Sequence, residues 1–114
     1  MMDESRYQKL ADSALGTIEQ MFEDVDAEVV DIERAGDVIT LTFANRKKCV
    51  INTQRPTRQI WLAANARAWH FSFDEASSTW LDDKGQTIDG RRVELVAQVA
   101  AIVKEQAGVD VRAR

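Results

Sequence analysis

Four carboxylates fall within six residues at Glu23-Asp24-Val25-Asp26-Ala27-Glu28. Hard, oxygen-preferring cations bind such side chains, and so do basic protein surfaces. The cluster belongs to a longer acidic run. Residues 1–33 carry ten acids (Asp3, Glu4, Asp12, Glu19, Glu23, Asp24, Asp26, Glu28, Asp31 and Glu33) against Arg6 and Lys9, a net charge of −8. Residues 34–114 carry 13 Lys/Arg against nine Asp/Glu, a net of +4, so the overall −4 conceals a strong split. An N-terminal segment of this sign excludes generic nucleic-acid binding there.

The spacing also excludes an EF-hand. Asp24, Asp26 and Glu28 imitate its first, third and fifth positions, but Val29 stands where the turn glycine belongs and Ala35 where a bidentate glutamate is required. One histidine (His70) and one cysteine (Cys49) exclude a multi-His centre, a Cys-based zinc or iron–sulfur site and an internal disulfide. Without such ligands the carboxylates would hold cations weakly and unselectively. Three roles stay open: weak electrostatic cation binding, docking of a basic partner, and a solvated surface that keeps the chain in solution.

Trp61 is the second candidate. Strand alternation puts it with Gln59 on one face, beside the amides Asn52 and Gln54 of the preceding segment, as an interface anchor would be. His70 reads as a polar residue of the same outer face rather than a base, because no Ser, Cys or carboxylate is placed beside it. Cys49 shares a face with Ile51 and reads as core, Arg46-Lys47-Lys48 as a solvated turn, and Trp69 and Trp80 as core packing. Phosphate-cradling glycine loops, nucleophile elbows and metalloprotease motifs are absent from the sequence.

The elements that must position these residues follow from periodicity. Tyr7, Leu10, Ala11, Ala14, Leu15, Ile18, Met21, Phe22 and Val25 recur at steps of three and four, predicting an amphipathic helix over 4–24 capped by Asp3 or Ser5. Asp12, Glu19 and Glu23 line its opposite side. Val30 and Ile32 then alternate with Asp31 and Glu33 as a half-buried strand, and Val38–Phe43 is a second. Further strands are predicted at 48–52, 58–64 (after the Pro56 break), 68–73 and 77–81, and a helix over 90–107 stopped by Gly108. Two helices with one stripe each cover one face of a five- to six-stranded antiparallel sheet, a two-layer α+β sandwich.

With 114 residues, 45% hydrophobic and 30% charged, the chain fits a single domain over 1–114 with one core. The Met1-Met2-Asp3-Glu4 start lacks the basic and apolar signature of a leader, and with a lone cysteine this predicts a cytoplasmic protein.

The element order, the acidic first helix and strand, and above all Asn52-Thr53-Gln54-Arg55-Pro56-Thr57-Arg58-Gln59-Ile60-Trp61-Leu62-Ala63 resemble the frataxin family in its bacterial form. Leu10-Ala11-Asp12, Thr17-Ile18-Glu19, Leu41-Thr42-Phe43 and His70-Phe71 match the same pattern, and the resemblance runs from about residue 7 to 108. It departs at Gln20, where many members carry a second glutamate, and at Val29-Val30, which interrupt the acidic run.

The resemblance implies a frataxin-like sandwich that is not an enzyme and serves iron–sulfur cluster assembly. Asp12, Glu19, Glu23, Asp24, Asp26, Glu28, Asp31 and Glu33 would form a ridge binding ferrous and ferric iron weakly, with other divalent cations as substitutes. Asn52, Gln54, Gln59 and Trp61 would face the cysteine desulfurase and its scaffold protein, whose activity the protein would modulate. Neither nucleic acid nor membrane is an implied partner, and without metal the chain would be a monomer. A purely protein-binding regulator with incidental metal binding is the alternative. An enzyme oxidising ferrous iron is disfavoured, since no His/carboxylate cluster supports a di-iron centre.

Overall fold

Asp3 starts the first helix: its Oδ1 accepts the Arg6 backbone N–H at 2.8 Å, and α1 runs Glu4–Gln20. These contacts belong to a computed structural model that describes residues 2–113. Tyr7, Ala11, Leu15 and Ile18 form the buried stripe expected of the periodicity. The helix ends four residues before the predicted 24. Beyond Gln20 the backbone bonds tighten from four residues back to three, Phe22 to Glu19 at 3.1 Å and Glu23 to Gln20 at 3.3 Å. The tighter turn sends the consecutive Met21 and Phe22 into the core together. It also breaks the helix where Glu19, Glu23 and Asp24 would face the negative end of its dipole.

Six strands follow: β1 (Val30–Ala35), β2 (Val38–Phe43), β3 (Lys48–Gln54), β4 (Gln59–Ala64), β5 (Arg67–Asp74) and β6 (Thr79–Asp82). They lie in chain order, each antiparallel to the next. The expected sandwich is therefore present, with six strands in its sheet. Strand ends differ from the sequence reading where side chains decide them. Ser77, predicted to open the last strand, sits in a turn, because its N–H and hydroxyl both donate to Asp74 Oδ2 at 3.0 and 2.6 Å. Those two bonds hold the Asp74 carboxyl below its usual value. Pro56 interrupts pairing as expected, within a 3-10 turn over Arg55–Thr57 that Arg58 leaves in the left-handed region (φ 55°).

Ile39, Leu41, Phe43, Cys49, Ile51, Ile60, Leu62, Trp69, Phe71 and Trp80 are buried in the helix-covered core. Among the described residues, neither helix is long and apolar enough to cross a membrane.

The second helix, α2, is shorter than the predicted 90–107 and spans Leu95–Ala107, with the Glu94 carboxylate capping Val96 and Ala97. Residues Thr87–Ile88 (β7) and Arg91–Arg92 (β8) instead pair in a small hairpin. Asp89 and Gly90 make its two-residue turn, both with positive φ. Val93, assigned to the helical stripe by sequence, is buried as required but lies between β8 and α2, outside the helix.

Asp82 ties this segment down. The side chain is fully buried, and its Oδ2 accepts the Lys84 and Gln86 N–H groups at 3.0 and 2.9 Å. Its own N–H donates to the Val93 carbonyl at 2.9 Å, while its carbonyl accepts from the Arg92 guanidinium. Oδ1 has no hydrogen-bond partner.

Candidate cation ridge and docking face

The eight ridge carboxylates do not share one surface. Asp12 and Glu19 stand seven residues apart on α1, and both are held by Arg34 of β1. The guanidinium donates to Glu19 Oε1 at 2.6 Å and to Asp12 Oδ1 at 2.5 Å, while Nε donates to the Gly36 carbonyl at 3.0 Å. The bond to Glu19, and then that to Asp12, raise the Arg34 pKa further above its ordinary value.

Alternation along β1 separates the rest. Val30, Ile32 and Arg34 turn inward, whereas Asp31 and Glu33 are exposed on the other sheet face, opposite Thr42 and Thr40. Glu23, Asp24, Asp26 and Glu28 are exposed on the connection between α1 and β1, where Asp26 Oδ1 accepts the Glu28 N–H at 2.9 Å. Among the described residues no three His, Cys, Asp or Glu side chains converge to hold a metal ion. The ridge is thus a distributed negative field, not a chelating cage.

The outer sheet face is more organised than the sequence showed. Asn52, Trp61 and His70 form one row across β3, β4 and β5, and Gln54 lies opposite Gln59. The Trp61 indole and His70 imidazole stack with centroids 4.1 Å apart and planes 12° from parallel. Trp61 Nε1 donates to Gln59 Oε1 at 2.9 Å, and Gln59 Nε2 donates to Asp83 at 2.8 Å and to Ser72 at 3.2 Å. Asn52, Gln54, Gln59 and Trp61 are each half-buried, so the expected anchor stands in a fixed pose on the face the helices leave open. His70 was given its face by sequence but no role. Its place against Trp61 follows only from the register set by the Asn65-Ala66 turn.

Behind this face, Tyr7 of α1 fastens the ends of β3 and β4. Its hydroxyl donates to the Gln59 carbonyl at 2.6 Å and accepts the Gln54 N–H at 3.0 Å. Tyr7→Phe is expected to cost about 1–3 kcal/mol, because it strands two backbone groups. The check is a lower urea midpoint at unchanged slope, and an unchanged midpoint would show that the hydroxyl contributes nothing. Burial raises the Tyr7 pKa. This contribution is therefore complete below the ordinary tyrosine value and disappears as pH climbs through the raised one. Cys49 is no candidate nucleophile, since burial pushes its thiol up to about 12.

Residues 1–107 match the family model described as a frataxin-like domain. The chain is 36% identical over 110 residues to the iron-sulfur cluster assembly protein CyaY of Pseudomonas aeruginosa, covering 96% of this chain and 95% of the relative. The CyaY protein of Paraburkholderia xenovorans is 37% identical over 107 residues, with 94% and 93% covered. Among solved structures, the frataxin of Psychromonas ingrahamii superposes with a TM-score of 0.83 at 31% identity, over 97% of both chains. Trimeric frataxin from the yeast Saccharomyces cerevisiae, solved with ferrous iron, shares the fold (TM-score 0.65, 22% identity, 96% of this chain and 89% of that one).

Proposed function

This chain belongs to the frataxin-like family, in its bacterial CyaY-type branch, and from that membership we propose that it serves iron–sulfur cluster assembly as a binding protein rather than an enzyme. Iron is its cargo, attracted weakly by the ridge of Asp12, Glu19, Glu23, Asp24, Asp26, Glu28, Asp31 and Glu33. The outer sheet face around Asn52, Gln54, Gln59 and Trp61 docks on a cysteine desulfurase–scaffold complex in the cytoplasm and modulates it. The observation that carries this reading is the pairing of two surfaces on one small fold: an acidic rim without a chelating cage, and a Trp61 fixed on the open sheet face.

Exposed carboxylates that do not converge give attraction that salt screens, not tight coordination. The triple variant Glu28→Gln, Asp31→Asn, Glu33→Gln is expected to weaken Fe²⁺ binding severalfold under anaerobic conditions. Calorimetric titration at two salt concentrations checks this, and unchanged affinity in the triple variant would remove the ridge as the iron site.

A second reading is favoured by one observation, that Arg34 already pairs with both Asp12 and Glu19. In that reading the chain is a purely protein-binding regulator of the desulfurase, and its metal binding is incidental. A triple variant that loses iron yet docks and modulates at normal strength selects it.

A further inference from the structure

The small β7–β8 hairpin and the first turns of α2 enclose a cleft of about 370 Å³. Ile88, Val93, Ala97 and Ala101 give it apolar walls, and Ile88 is 55% exposed, more than any other large hydrophobic side chain among the described residues. Gln98 of α2 also lines the cleft. The residue is only 7% exposed, yet among the described residues no hydrogen bond reaches its carboxamide. A buried amide with donors and acceptor unused is costly unless a bound group meets it. Arg91, exposed on the same lining, has neither an ion pair nor a side-chain hydrogen bond among the described residues. Its neighbours are engaged: Arg92 donates to the Asp82 carbonyl, and Glu94 caps Val96 and Ala97.

We propose that this cleft binds the carboxyl-terminal residue of a partner polypeptide that ends in an apolar amino acid. One such residue supplies all three complements. Its aliphatic side chain fills the apolar walls, its peptide N–H and C=O match the acceptor and donors of Gln98, and its carboxylate pairs with Arg91. Ile88, Ala97 and Ala101 are exposed, so the chain behind that last residue has an open way out to solvent. The site uses neither the acidic ridge nor the outer sheet face, and its failure leaves the proposed function untouched.

The probe is the pentapeptide Gly-Ser-Gly-Ser-Leu with a free carboxylate, titrated into the full-length protein while amide NMR shifts are followed. Shifts are expected at Ile88, Arg91, Ala97 and Ala101 and at the Gln98 side-chain NH₂, with a Kd on the order of 1 mM or tighter. Amidating the peptide terminus should weaken binding about 3- to 10-fold, and Arg91→Gln should cost the same. Ala101→Leu, a change at an exposed helical position, should fill the cleft and abolish the shifts. Gln98→Met should weaken the peptide yet raise the melting temperature, because it removes an unpaired buried amide.

No shifts at these residues, or binding indifferent to amidation, would overturn the proposal, and neither result depends on a variant folding. Wild-type affinity in Arg91→Gln would overturn it as well. A lower melting temperature in Gln98→Met would show that the carboxamide already serves the fold, and would remove the site's basis. Tighter binding of N-acetylleucine than of the pentapeptide would overturn the polypeptide partner in favour of a free acyl amino acid.

Discussion

Asp82→Ala is expected to destabilise the fold by about 2–3 kcal/mol, because it removes the side-chain acceptor of two loop N–H groups in a buried site. For a domain of this size that lowers the melting temperature by roughly 8–15 °C. The residue is fully buried on the helix-facing side of β6, where a carboxylate is costly unless its bonds are made. Oδ2 makes its bonds to Lys84 and Gln86 while Oδ1 makes none, and the adjacent backbone bonds Val93 and Arg92. Without the carboxylate, the Lys84 and Gln86 N–H groups lose their acceptor, while the backbone bonds of Asp82 to Val93 and Arg92 remain. Asp82→Asn keeps one acceptor and should lose less. Amide exchange should accelerate at Lys84 and Gln86 before anywhere in α1. A melting temperature in the alanine variant equal to wild type would refute this account.

The second large effect is on docking. Trp61→Ala is expected to weaken binding to the desulfurase–scaffold complex by about 30-fold or more, the loss typical of a central aromatic anchor. His70→Ala should weaken it less, about 2- to 10-fold, because it removes only the ring stacked on Trp61. Trp61 lies outside the helix-covered core, so the alanine variant should remain folded with a melting temperature within roughly 5 °C of wild type. Surface interferometry against the immobilised complex gives the comparison. Normal-strength docking by Trp61→Ala would displace the outer face as the docking site.

Much of this arrangement could be read from periodicity. The stripe Tyr7, Ala11, Leu15, Ile18 and the alternation of Ile60 and Leu62 against Trp61 each depend on near neighbours, which sequence displays directly. The features that escaped are long-range or depend on a single turn. Arg34 meets Glu19 and Asp12 across 15 and 22 residues, and nothing local distinguishes it from any charged residue on a half-buried strand. Asp82 looks like one of two acids before a Lys-Gly turn, and only its inward position makes it a hub. Arg91–Arg92, the second arm of the small hairpin, fall within the helix that periodicity predicts over 90–107, because Val93 fits both periods. The acids from Asp12 to Glu33 are visible in the sequence as a charge run. Their division between helix, connection and the outer sheet face depends on the end of α1 and the alternation along β1.

The hydroxyl of Tyr7 also bears on the order in which the molecule can be made. The residue belongs to the first helix, yet its partners Gln54 and Gln59 lie 47 and 52 positions later. The rest of the α1 stripe faces a sheet still to be completed and a second helix at the far end of the chain. A 17-residue helix is marginal by itself in water. During synthesis, therefore, α1 is made before its contacts exist, and a nascent chain halted before β4 has no Gln59 carbonyl for Tyr7 to bond. Folding here waits for nearly the whole chain, which makes the domain cooperative and leaves little room for a stable half.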